Sequence, residues 1–190
     1  GLLATHLPRH LSALRHTPCV ILAYHSIHSA SSIHLSAYGA GIQHDPVLFE
    51  KHVRYVSEHC SPVTLDDVAA ALGGGTRLPT RAVAFTFDDG FADNAEIAAP
   101  ILERYGCRGV FYLLSGCIEE RLSPFFIRLR YSIFRTKRSS WVDPTTGLTW
   151  RLTDDGDRYG AFIACIRRCS TMRRQEQRQF VAAVEEDLGV

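Results

Sequence analysis

The 190-residue sequence has no apolar run approaching the ~20 residues that a membrane-spanning helix needs, so none of its segments reads as one. It also lacks a secretory leader: residues 1–17, GLLATHLPRHLSALRHT, have neither a basic start nor a continuous apolar centre. With neither signal in view, the sequence leaves the compartment open, the cytoplasm being the default. Leu3, Leu7, Leu11 and Leu14 fall at helical spacing and predict an amphipathic helix over 1–18. The first residue is Gly1 rather than Met, and the natural start is expected upstream. Six cysteines at 19, 60, 107, 117, 165 and 169 form no Cys-x-x-Cys pair and no tight framework, which argues against a zinc finger or a disulfide-stapled domain. Cys165 and Cys169 would share one helix face as small buried residues. There is no strong excess of either charge. The net value is +1, residues 1–120 carrying −4 and residues 121–190 carrying +5. Solvated helix faces account for that asymmetry. The arginines at 167, 168, 173, 174 and 178 spread around a helix rather than forming a stripe, so nucleic acid is not an expected partner.

What is present is a globular composition, 46% hydrophobic and 22% charged. CVILAY (19–24) reads as a strand buried on both faces, which favours a parallel sheet. Residues 28–45 read as a loop. Asp45-Pro46 then signals a helix by its N-cap and first-turn proline, with Phe49, Val53 and Val56 on one face. SPVTLDDVAAAL gives a short strand and a helix capped by Thr64 or Asp66, stopped by Gly73-Gly74-Gly75. AVAFTF (82–87) is a second clear core strand. Asp93 and Glu96 form a capping-box-like pair ahead of another helix, which Pro100 should kink or restart. Gly106 ends that helix and VFYLL (110–114) is a further strand. Strands and helices in alternation give an α/β domain.

Beyond Gly116 the rhythm changes. RLSPFFIRLRYSIF has helical spacing, WVDPTTGLTWRL looks like a hairpin, and 158–188 reads as helical, with Phe180, Val184 and Leu188 on one face. This gives three parts: the helix 1–18, a domain over 19–116, and a helical and hairpin insertion of the same domain over 117–190.

The strand AVAFTF runs directly into Asp88-Asp89-Gly90. An isolated Asp-Gly pair is ordinary turn chemistry. At the carboxyl end of a buried parallel strand, where ligands bind, two adjacent carboxylates imply a cation or a shared proton that resolves their repulsion. Gly90 frees the backbone to turn both toward one site.

FTFDDG, with ILAYHSI about sixty residues upstream and ILERYGCRGVFYLL downstream, resembles the polysaccharide deacetylase family, the NodB-homology carbohydrate esterases (family 4-like). The resemblance covers about residues 19–116. It implies the N-terminal part of an irregular (β/α) barrel, with a mostly helical insertion after the third strand. The implied activity is hydrolysis of N- or O-acetyl groups from an acetylated glycan with a divalent metal, zinc foremost. By the same resemblance Asp88 matches the catalytic base and Asp89 the metal-binding aspartate. His25, at the exit of the first strand, would line the same mouth. Substrate-binding residues are not indicated.

The family completes its metal site with a His-Ser/Thr-x-x-His motif downstream of the acid pair. All nine histidines here lie between positions 6 and 59, and none has that spacing; His25-Ser26-Ile27-His28 is one residue too short. The expectation is therefore a truncated chain, weakly active or inactive alone. The alternative is a catalytically dead paralogue that binds carbohydrate or acts as a scaffold, with aromatics at 125, 126, 131, 134, 141 and 150 stacking on sugars. A phosphotransferase-type aspartate site fits poorly, because such sites want a carboxylate two residues past the nucleophile and position 90 is glycine.

Overall fold

A computed structural model describes residues 19–28 and 42–190. The helix expected over 1–18 lies outside them. The described residues fall into two compact units, 19–28 with 42–114, and 115–190.

The first unit is built on parallel strands. β1 (Cys19–Tyr24) pairs along its whole length with β5 (Ala82–Phe87), from Cys19 opposite Ala82 to Tyr24 opposite Phe87. β5 has its other edge divided. β4 (Ser61–Pro62) lies against Ala82 and Val83, and β6 (Gly109–Phe111) lies against Phe85, Thr86 and Phe87. Every residue of β5 is buried, as expected of an uninterrupted run of Ala, Val, Phe and Thr. A two-residue pair, β2 (Ser26–Ile27) with β3 (Gln43–His44), continues from the end of β1.

β1 corrects the sequence reading. It is not buried on both faces: Leu22 and Tyr24 turn into the core, whereas Ile21 is 49% exposed. Within the described residues its only partner strand is β5, so the apolar character of CVILAY overstates its burial.

Helices cover this sheet. α1 (Pro46–His59) starts where Asp45 accepts hydrogen bonds from the Val47 and Leu48 amides, and it buries Phe49, Val53 and Val56. α2 (Leu65–Leu72) is capped by Thr64 in a reciprocal box with Asp67. After the acid pair comes a π turn (Asn94–Ala98), which passes into α3 (Ala99–Arg104). Pro100 has no amide hydrogen, and the wider turn ahead of it is how the helix restarts. Tyr24, Phe49, Phe85 and Phe87 form the aromatic centre of the core, Phe87 stacking on Phe111 at 4.7 Å between ring centres.

The packing is tight around Phe87. A Cβ added at Gly109 would stand 2.9 Å from its ring and 3.0 Å from Leu102 Cδ1. Gly109→Ala is therefore expected to cost about 1–3 kcal/mol by overpacking, read as a lower urea midpoint.

The second unit has its own core. α4 (Ser115–Glu120), α5 (Phe125–Arg135), the antiparallel hairpin β7 (Ser140–Val142) with β8 (Thr149–Arg151), α6 (Asp155–Cys169) and α7 (Arg174–Leu188) make it up. Leu129, Ile133, Trp141, Leu152, Val181 and Val184 are buried in it. Arg128 reaches Glu185 at 2.8 and 2.5 Å, and Arg168 grips Asp143 at 2.8 and 3.1 Å, joining elements far apart in sequence. Of the aromatics considered as sugar platforms, Trp141 is buried and Phe125, Phe134 and Trp150 pack on this core. Cys165 and Cys169 are buried on one face of α6, and burial pushes their thiols up to about 12 and about 11. All six cysteines are free thiols.

Candidate functional site

The carboxyl end of β5 is where three pieces of the first unit meet. The ladder between β1 and β5 runs one residue past the strands, because the Asp88 amide donates to the Tyr24 carbonyl at 2.9 Å. This contact holds Asp88 level with the end of β1. The next two residues are left-handed, Asp89 at φ 72° and Gly90 at φ 67°. Aspartate tolerates that region better than most residues, and glycine adopts it freely. At Gly90 the backbone angle is what favours glycine: a Cβ there would come within 2.8 Å of Leu113 Cδ2, but that is the end of an exposed side chain that can swing aside. The chain thus reverses sharply as it leaves the buried strand.

That reversal brings Asp89 to His25. The Asp89 Oδ2 and His25 Nδ1 atoms are 2.8 Å apart, with side chains 15% and 37% exposed. An ionised carboxylate only accepts hydrogen bonds, so Nδ1 is the donor in this pair, and in the neutral ring Nε2 is then the nitrogen with the lone pair. The pair is an imidazole oriented by a carboxylate at a partly open strand end, an arrangement suited to moving protons. Sequence reading placed His25, Asp88 and Asp89 in this region. The contact between His25 and Asp89 spans 64 residues and came from the fold.

Asp93 corrects the expectation of a capping box. It makes no cap bond to the helix that follows. Its carboxylate instead accepts from Ser26 Oγ at 2.6 Å and from the Ile27 amide at 3.1 Å. Spacing to Glu96 suggested a local role, and the parallel packing of β1 beside β5 supplied more demanding donors. Asn94 next to it is 3% exposed, and neither end of its amide is bonded to another protein group.

Behind the acid pair lies a set of groups that sequence reading did not single out. Tyr24 Oη and His52 Nδ1 are 3.1 Å apart, and the His44 ring meets the Tyr24 ring edge-on at 5.0 Å. Burial first, and the charge of His44 second, pull His52 down to about 4. Burial first, then His25, lowers His44. Burial raises the Tyr24 phenol. The signal was present: His52 falls three residues after Phe49, inside the apolar stripe of α1. A polar residue on a buried stripe implies a partner across the interface.

These shifts set a pH dependence. His52 and His44 are less basic folded than unfolded, so the unfolded chain binds more protons below pH 6.5. The contribution of these two rings to stability is expected to be fully present above about 6.5, to fall as the pH drops toward about 4, and to level off below it. His52→Asn should flatten that slope. Urea midpoints of both proteins between pH 7.5 and 4 check it, and parallel slopes would refute it.

A catalytic zinc takes three protein ligands and keeps one open position. Among the described residues, no group of three His, Cys, Asp or Glu side chains is arranged to hold a metal ion, and Asp89 already has one oxygen on His25. The described residues do not by themselves fit such a centre. No helix among them is long and apolar enough to cross a membrane.

Residues 75–151 match the polysaccharide deacetylase family, a span that contains β5 and the acid pair and runs into the second unit. A Bacillus subtilis protein, YxkH, named for polysaccharide deacetylase activity, is 27% identical over 102 residues, covering 53% of this chain and 33% of that protein. The chain therefore spans about a third of the length of that curated relative. Two solved structures also align in part. The Streptococcus pyogenes deacetylase PplD, in complex with acetate, shares 27% identity over 54% of this chain and 45% of its own, with a TM-score of 0.47. IcaB from Ammonifex degensii shares 23% identity over 53% and 40%, with a TM-score of 0.45.

Proposed function

From the relationship of residues 75–151 to polysaccharide deacetylases, we propose that this protein takes part in removing acetyl groups from an acetylated glycan, with the end of β5 as its reacting centre. The observation that carries the proposal is the acid pair at the carboxyl end of a fully buried parallel strand, with Asp89 bonded to His25 at 2.8 Å.

Asp88 is the general base. Its amide is fixed to Tyr24 O, and its carboxylate takes a proton from the water that attacks the acetyl carbonyl. Asp89 orients His25 through Nδ1–H, which leaves Nε2 of the neutral ring as the atom that accepts and returns a proton. A divalent ion, zinc foremost by family resemblance, would polarise the carbonyl and acidify water when bound. Asp89 is the residue here matched to it, and the described residues do not complete its ligand set. The (β/α) barrel and the status of 117–190 as an insertion of one domain belong to the same proposal.

The 190-residue chain alone is accordingly expected to release little or no acetate, and the product of the whole gene is expected to release it steadily. The test is acetate release from an N-acetylglucosamine oligomer and from an O-acetylated glycan, with zinc supplied. Robust turnover by the 190-residue chain would overturn the first expectation. Failure of the whole gene product on every acetylated glycan, with binding retained, would replace deacetylation by a carbohydrate-binding or scaffolding role.

A further inference from the structure

We propose that Asp93 is a positioning residue for the His25–Asp89 pair, acting through the backbone on either side of His25; the inference rests on the reading of that pair given above. His25 is a single residue between two anchors. On one side the Tyr24 carbonyl accepts the Asp88 amide at 2.9 Å. On the other, Ser26 Oγ and the Ile27 amide both end on the Asp93 carboxylate, at 2.6 and 3.1 Å. Ser26 is 3% exposed and Ile27 is fully buried, so water is a poor substitute for that carboxylate. The Ser26 amide adds a third tie, to Ile42 O at 3.0 Å. With its neighbours pinned, His25 has its ring as its main freedom, and Asp89 fixes the ring through Nδ1.

Both anchors come from the same short stretch. Asp88 and Asp93 lie on either side of the left-handed turn, so the strand end that presents the acids also sets the backbone that presents the imidazole. Because Asp93 makes no cap bond, its removal does not uncap the following helix. Its effect should therefore appear in the geometry of His25.

The two substitutions differ in what they keep. Asp93→Asn retains an oxygen for the Ile27 amide and can donate its NH₂ to the Ser26 hydroxyl oxygen. Asp93→Ala retains neither. The primary readout is the His25 tautomer in the 190-residue chain, from imidazole ¹⁵N shifts at a pH where the ring is neutral. The wild-type ring should carry its proton on Nδ1. Asp93→Ala should shift the population toward the Nε2–H form favoured by a free imidazole, and Asp93→Asn should restore Nδ1–H. In the whole gene product, Asp93→Ala should lower kcat for acetate release by about ten- to a hundredfold with KM within about twofold, the range usual for residues that orient a reacting group.

A wild-type ring protonated on Nε2, or an Asp93→Ala ring still protonated on Nδ1, overturns the inference. So does an unchanged kcat in an active enzyme. If acetate release is absent from the wild type while the tautomer responds as described, the deacetylase reading fails and the positioning of His25 by Asp93 stands. Where Asp93→Ala does not fold, Ser26→Ala deletes only the 2.6 Å contact and must produce the same tautomer shift, in smaller measure. An unmoved tautomer in that variant refutes the proposal.

Discussion

If the proposed deacetylation holds, Asp88→Asn is expected to lower acetate release by the whole gene product by about 10²–10⁴-fold, in kcat far more than in KM. The carboxamide has nearly the shape of the carboxylate but cannot take a proton from water. The strand end survives the change, since the contact that fixes position 88 is its backbone amide on Tyr24 O. The companion substitution needs more care. Asp89 sits at φ 72°, where most side chains are strained, so Asp89→Ala mixes a backbone penalty of about 1–2 kcal/mol with the chemical loss. Asp89→Asn tolerates the conformation, still offers an oxygen to His25 Nδ1, and removes only the negative charge. If the proposed roles hold, the two asparagine variants separate them: position 88 should govern the rate alone, and position 89, matched to a metal by the family resemblance and not by a ligand set among the described residues, both the rate and the response to added zinc. The measurement is initial-rate acetate release with far-ultraviolet circular dichroism as the control for folding. An Asp88→Asn protein that keeps more than about a tenth of the wild-type rate would remove the general base from the account.

Phe87→Ala should destabilise the first unit by about 3–5 kcal/mol, a large part of the 5–15 kcal/mol that usually holds a domain together. Phe87 is fully buried, stacks on Phe111 at 4.7 Å and on Tyr24 at 5.6 Å, and meets the edge of Phe49 at 5.7 Å. β6 approaches it closely enough to require Gly109, and so tight a lining relaxes little around a cavity. Ile21 on β1 is the matched control. At 49% exposure its truncation should cost well under about 1.5 kcal/mol, although it too is a large residue in a strand of the same sheet. Urea midpoints for the two variants decide the matter. A Phe87→Ala midpoint close to that of Ile21→Ala would show that the aromatic centre does not carry the core.

Much of this could be read from the residues themselves. Continuous burial of AVAFTF, the Asp45-Pro46 start of α1, the Thr64 cap and the apolar face of α7 are local patterns, set by periodicity and capping chemistry. The acids at 88 and 89 were legible because a buried strand seldom ends in two charges. What stayed hidden depends on which segments become neighbours. β1 and β5 carry similar apolar runs, yet only β5 has strands on both edges among the described residues, and periodicity does not report edges. Asp93 looked like a cap because its spacing to Glu96 is local, while its true donors lie 66 and 67 residues away. The Asp89–His25 and Tyr24–His52 pairs have the same origin: each needs β1 laid against a segment far along the chain. Cys165 and Cys169 were correctly placed on one buried face, because a four-residue interval is itself the helical signal.

The split flank of β5 has an evolutionary corollary. β1 alone matches the full length of the central strand, while β4 and β6 each accompany one half of it. Residues can therefore be gained or lost in the connections leading to β4 and β6 while the acids keep their station opposite Tyr24. A single-residue slip between β1 and β5 is another matter: it would displace His25 from Asp89 by about 3.3 Å and turn its side chain to the opposite face. Lineages of this protein should tolerate indels in those connections freely and almost never within the first strand.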